Sequence, residues 1–225
     1  MRALLAVYVA AQFFAHLPAG EAKAQASLTY GGYTSLVYAT GILGGMIADR
    51  YLGYQRSIIL GGLLMAVGCF MLLSPEIHLF LIGLAVIVAG NGLFKPNIST
   101  MVGKLYAPGD VRRDSGFTIF YMGINAGAFV APLITAVWIG ANYGYKYGFL
   151  AAAIGMIFGI AVFQVRKGML GHVGKSPAGR EGWGPVLNVL VGAILLVPVI
   201  YFLLSQSEIL GVVLLALFAG LAVYL

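Results

Sequence analysis

The chain has 225 residues, of which 61% are hydrophobic and 9% charged, with a formal net charge of +6. A soluble domain of average composition carries charge on about a quarter of its residues, so this composition excludes an ordinary soluble fold and points to a polytopic membrane protein. Long apolar runs of about 20 residues, rather than alternating segments of about 10, exclude a transmembrane β-barrel and give an all-α fold.

Spans are predicted over residues 3–17, 28–48, 57–74, 78–101, 115–137, 146–165, 184–204 and 208–225. The first lies in MRALLAVYVAAQFFAHLPAGEAKAQA, which also has the basic start, apolar centre and small-residue ending of a secretory signal peptide. Read as a span it is short for a bilayer, as expected of a helix that lacks its first turns. The second span ends in GGMIADRYLGYQRS, residues 44–57. Gly44 and Gly45 permit close helix approach, Asp49 and Arg50 mark the exit from the membrane, and Arg56 opens the next helix. Taken alone this is a tight hairpin whose arginines snorkel to the interface. The third span holds Cys69, the single cysteine, so no disulfide framework or thiolate cluster is possible. His16, His78 and His172 fall in different segments and define no metal site.

The fourth span carries GNGLFKPNIST, residues 90–100. A charge at the centre of a bilayer costs about 3 kcal/mol on insertion scales, and an intramembrane lysine is by default a functional residue. Pro96 removes a backbone hydrogen bond and is expected to kink the helix, which membranes tolerate where neighbours or water re-satisfy the carbonyl. Asn91, Lys95, Pro96 and Asn97 together predict a wet, inward-facing cavity. The fifth span contains FYMGINAGAF, residues 120–129. Tyr121 and Asn125 are four apart and share a helix face, while Gly123 and Gly127 have the spacing of a close-packing face.

After the sixth span, RKGMLGHVGKSPAGREGW, residues 166–183, is the most polar stretch. The final apolar pair is joined by Ser205-Gln206-Ser207. Arg50, Arg56, Lys104, Arg112, Arg113, Arg166, Lys167, Lys175 and Arg180 all fall in alternate connections, against Lys23 and Lys146 in the others. By the positive-inside rule the first group is cytoplasmic and residues 18–27, 75–77 and 138–145 face outward, so the basic excess sets topology and implies no nucleic acid.

The ADRYLG loop, the GNGLFKPN helix and the FYxxIN helix, in this order and spacing, resemble the proton-dependent oligopeptide transporter family, the peptide branch of the major facilitator superfamily. The resemblance covers residues 1 to about 165, and residues 184–225 look like the extra helical pair of bacterial members. It implies an amino-terminal six-helix bundle over residues 1–165, a basic cytoplasmic linker over 166–183 and an additional transmembrane pair over 184–225. It also implies proton-coupled symport of di- and tripeptides by alternating access in the inner (cytoplasmic) membrane, with peptides, protons and the lipid bilayer as partners. The family's Glu-x-x-Glu-Arg signature and its carboxy-terminal six-helix bundle find no match, so the chain reads as a half with a truncated first helix, prone to self-association.

Carried over residue by residue, the resemblance makes Lys95 a substrate-carboxylate and proton-coupling residue. Arg2, Tyr38, Tyr121 and Asn125 become further substrate-binding positions, and Gly45, Asp49, Arg50 and Arg56 become a structural and gating loop. With no carboxylate inside a span, Lys95 is expected to lose its proton readily or to collect water. Two other readings fit the same residues: a relative carrying another small anion such as nitrate, and a non-transporting remnant or scaffold. No span offers a paired nucleophile and base or a metal-ligand cluster, so neither an enzyme nor a cofactor is implied.

Overall fold

A computed structural model describes residues 2–206 and 212, and those residues form helices and connections without a strand. The helices are α1 (Arg2–Gln12), α2 (Ala19–Ile47), α3 (Tyr54–Met71), α4 (Ile77–Lys104), α5 (Arg112–Pro132), the single turn α6 (Ala141–Tyr143), α7 (Tyr145–Arg166) and α8 (Gly184–Ser205). A π-helical turn, Ala48–Leu52, ends α2, and a second, Leu133–Gly140, joins α5 to α6. Five described helices are long and apolar enough to cross a membrane: α3, α4, the α5–α6 rod, α7 with its following turn, and α8. The predicted span 208–225 lies outside the described residues. The 29-residue α2 is long enough to cross but too polar to join the five, because Thr29, Tyr30, Tyr33, Thr34, Tyr38 and Thr40 punctuate it.

The expected outward loop 18–27 proves to be helical. Pro18 sits at the N-cap of α2, and the alanine-rich AGEAKAQA that follows consists largely of strong helix formers, so the helix begins nine residues before the apolar run. Lys23 is therefore an exposed helical residue.

The helix α4 is apolar on almost every side and lies at the centre, as a helix without a polar face must. It packs against α3, α2 and α8, while α7 covers α3 and α1 lies against α2. Phe80 and Phe149 are fully buried. Tyr8 meets the Phe149 ring edge-on at 5.3 Å, and Phe13 lies 4.9 Å from Phe80, so an aromatic cluster ties α1, α4 and α7 together. Glu76 caps α4 by accepting from the His78 and Leu79 N–H groups at 2.8 and 2.7 Å, which holds its carboxyl below the ordinary range.

The α2–α4 seam is the tightest contact. A Cβ added at Gly44 would overlap the Gly92 carbonyl and lie 2.9 Å from the Leu93 nitrogen, and one added at Gly92 would lie 2.8 Å from the Thr40 oxygen. The Gly92 carbonyl is the one that Pro96 deprives of its helical donor, and it is turned into this glycine contact. Pro96 therefore stays inside a continuous α4. Two interhelical hydrogen bonds close the seam: Thr40 Oγ1 donates to Val88 O at 3.2 Å, and Asn97 Nδ2 donates to Gly44 O at 3.1 Å.

The α5 helix behaves differently. All of residues 121–130 are exposed, and a Cβ at Gly123 or Gly127 would meet nothing within 4 Å. The small-residue face expected to pack closely is thus open to the outside, because no described helix lies over it.

Candidate functional site

The face shared by α2 and α4 carries the lysine. Lys95 Nζ stands 4.6 Å from the centroid of the Tyr38 ring, so the structure brings together two residues predicted from separate helices. Side chains on a helix lean toward its N-terminus, and the long lysine stem reaches back along α4 to the ring. Both are exposed, Tyr38 to 58%, so the cation is held by a π face at the rim of an open surface rather than sealed in apolar packing. The only ion pair among the described residues is Arg112 with Asp110, which leaves Lys95 without a carboxylate within pairing distance.

Polar groups continue along the same two helices. Asn91 lies one turn before Lys95 and Thr34 one turn before Tyr38, and among the described residues the buried Asn91 Oδ1 and Thr34 Oγ1 have no hydrogen-bond partner. A buried polar atom without a partner costs about 1–3 kcal/mol, so such atoms mark positions where water or a bound polar group is to be expected. The Asn91 signal was legible in GNGLFK; Thr34 carried none, since a lone threonine in a helix ordinarily bonds its own backbone. Asn97 is fully buried and donates its amide N–H groups to Gly44 O and Leu93 O, which ties it into the seam, while its Oδ1 joins Asn91 Oδ1 and Thr34 Oγ1 as a buried atom with no partner among the described residues.

Tyr121 and Asn125 stand on the exposed length of α5. Tyr121 stacks on Phe117 at 6.3 Å and meets Phe120 edge-on at 5.7 Å, forming an aromatic step at that end of the helix. Arg2 opens α1, and its side chain lies outside the described residues.

At the opposite end of α2, the loop residues are clasped. Gly53 takes φ +74°, the left-handed region that lets the chain reverse between the π turn and α3. Asp49 accepts from the Tyr54 hydroxyl, and Lys104 Nζ lies 4.5 Å over the Tyr54 ring. Arg56 donates from one guanidinium to three carbonyls of the 166–183 segment, those of Arg180 at 3.3 Å, Gly182 at 2.8 Å and Glu181. Gln55 N donates to Gly174 O at 2.9 Å and Ser176 Oγ to Leu52 O at 2.7 Å. Of the expected loop set, Asp49 and Arg56 thus make defined contacts, Arg50 is exposed, and Gly45 faces open space with no neighbour within 4 Å of a built Cβ. The close helix approach expected of both glycines is made by Gly44 alone.

Basic residues of three connections, Arg56, Lys104 and Arg180 among them, meet at this one end, as the alternation of charge along the sequence requires.

A family profile described as "POT family" matches residues 55–195. The "Di-/tripeptide transporter" of Lactococcus lactis subsp. lactis (strain IL1403) is 41% identical over 216 residues, which covers 92% of this chain and 43% of that protein. Among solved structures, one described as a bacterial homologue of the human drug peptide transporters PepT1 and PepT2 superposes with a TM-score of 0.83 at 27% identity, covering 99% of this chain and 49% of that one. Another, a mutant of peptide transporter POT in complex with alafosfalin, gives a TM-score of 0.74 at 37% identity, covering 96% and 46%. The chain therefore spans a little under half the length of the relatives it matches.

Proposed function

Because this chain belongs to the POT family, we propose that it forms the amino-terminal part of a proton-coupled symporter of di- and tripeptides. Transport proceeds by alternating access across the cytoplasmic membrane. The observation that carries the reading is Lys95, a cation within a membrane span, seated on the Tyr38 ring and open on its remaining side, with no carboxylate at hand among the described residues.

Such a lysine is complementary to the free carboxylate of a short peptide. The ring holds the ammonium in place while leaving its N–H groups available, and a carboxylate replaces the weaker contact with charge-assisted hydrogen bonds. Asn125 offers both donor and acceptor to a peptide backbone, with Tyr121 one turn away, and Arg2 is a further substrate-binding position by the family resemblance. Asn91 Oδ1 and Thr34 Oγ1, without a hydrogen-bond partner among the described residues, supply polar wall atoms one turn from the lysine and tyrosine. Proton coupling runs through competition at Lys95: a carboxylate from outside the described residues pairs with it while ionised and, once protonated, frees it for substrate.

In this reading residues 1–165 are the amino-terminal bundle, 166–183 a cytoplasmic linker that fastens to the Asp49–Arg56 loop through Arg56, and 184–225 an added membrane pair. The exposed length of α5 meets a second six-helix bundle, against which the first rocks. Gly45, Asp49 and Arg50 belong to the gating loop.

The test is uptake of labelled dialanine into proteoliposomes by the complete gene product that contains this chain, with and without Lys95→Ala. Loss of a charged hydrogen bond of roughly 1.5–3 kcal/mol predicts a fall of roughly 10- to 100-fold in proton-driven uptake. Uptake indifferent to the proton gradient or to the substitution refutes the role of Lys95.

A further inference from the structure

A cavity of about 660 Å³ lies between α2, α4 and α8, away from the lysine face; Lys95, Tyr38, Tyr121 and Asn125 are not among its walls. Its size falls within the roughly 300–1,000 Å³ range of small-ligand sites. The walls are almost wholly apolar, with Leu43 and Ile47 from α2, Leu93 from α4, and Val189 and Leu196 from α8, and room is made by the small side of Gly192. Thr40 also lines it, but its hydroxyl is already bonded to Leu36 O at 2.9 Å and Val88 O at 3.2 Å. Asn188, in the first turns of α8, is a further polar wall residue, and the interior beyond it is hydrocarbon.

The end nearest the basic connections is of opposite character. Arg50 and Arg180 both line it, and neither has an ion pair among the described residues. The Arg180 guanidinium lies 4.2 Å over the Tyr51 ring, which fixes its plane beside the opening while leaving its edge free to bond an anion. Two guanidinium groups at the rim of an apolar slot match one chemistry, an anion joined to a long hydrocarbon. A soluble anion has no use for the slot, and an uncharged hydrocarbon has none for the arginines. The slot runs alongside α8, whose outer residues Val191 and Leu195 are exposed on a span, so a lipid has lateral access. Basic pockets between helices at the cytoplasmic face are the places where anionic headgroups bind.

We propose that this cavity holds one acyl chain of an anionic phospholipid, with the phosphate bound by Arg50 and Arg180. The site is independent of the peptide site, and its occupancy braces α8 against the α2–α4 seam.

The test is native mass spectrometry of the complete gene product in detergent, titrated with dioleoylphosphatidylglycerol, dioleoylphosphatidylcholine or inorganic phosphate. The expected result is one retained phosphatidylglycerol per protein, bound at least tenfold tighter than phosphatidylcholine. Arg50→Gln combined with Arg180→Gln weakens it at least tenfold; the Arg180 carbonyl that Arg56 grips is untouched by the change. Gly192→Leu fills the slot from a helix position where a new Cβ meets nothing within 4 Å, and abolishes retention while the arginines remain. Equal retention of the two lipids, retention unchanged in either variant, displacement by dialanine, inorganic phosphate binding as tightly as the lipid, or no lipid retained at all would each overturn the proposal.

Discussion

Replacing Gly44 by alanine adds one methyl group at the seam on which the lysine face depends. The new Cβ overlaps the Gly92 carbonyl and comes within 2.9 Å of the Leu93 nitrogen, and these are backbone atoms that no rotamer change can move. Ordinary contact lies near 3.5 Å, so α2 and α4 must separate by about 1.5 Å. At that separation Thr40 Oγ1 to Val88 O, now 3.2 Å, and Asn97 Nδ2 to Gly44 O, now 3.1 Å, both pass beyond bonding range. Two interhelical hydrogen bonds in a membrane are together worth about 1 kcal/mol, and overpacking costs about 1–3 kcal/mol more. The sum is about 2–4 kcal/mol. Gly45→Ala, one residue on, meets nothing within 4 Å and gains helix propensity of up to about 1 kcal/mol. Reversible unfolding in mixed micelles, followed by tryptophan fluorescence and circular dichroism, compares the pair directly. If the two variants lie within about 1 kcal/mol of each other, the seam is not the close backbone contact described.

Arg56→Ala removes three bonds to the carbonyls of residues 180–182, so limited proteolysis within residues 175–183 is expected to accelerate several-fold, and an unchanged cleavage rate would count against the clasp. Arg112 beside Asp110 holds that carboxyl down at about 2. A depressed carboxyl contributes its stability above the unfolded value and loses it as pH falls through the folded one, so the 105–112 turn keeps its ion pair from neutral pH through the ordinary carboxylate range and releases it near 2; a carboxyl NMR titration at the ordinary aspartate value would contradict this. Cys69 is buried, only 3% exposed, and is expected to resist a water-soluble maleimide until the protein unfolds, where prompt labelling would contradict its placement. With residues 121–130 exposed, the chain by itself is expected to self-associate in detergent, which a monodisperse monomer in size-exclusion chromatography with light scattering would disprove.

A lysine inside an apolar run is visible at once because its desolvation penalty is large and local, and Tyr38 was found through a resemblance in spacing to Asp49. Their contact was not legible, since it depends on the rotation and height of two helices 57 residues apart in the chain. Gly44 and Gly45 are indistinguishable as letters, yet about 100° of helix rotation directs one into Gly92 and the other into open space. Arg56 was assigned to a structural and gating loop by resemblance, but its partners were not legible, because they are main-chain carbonyls, which have no side-chain signature.

By itself the sequence determined that the chain is helical and membrane-embedded, which loops share a side, and which residues are too polar for their surroundings. Those properties follow from transfer free energies that act on each segment separately. Only the tertiary structure decided that Lys95 rests on Tyr38, that the Asn97 amide bonds across the seam, and that two arginines without an ion pair among the described residues crown a largely apolar slot. These depend on ångström-scale contacts between distant segments, and such contacts are set by how all the helices pack at once.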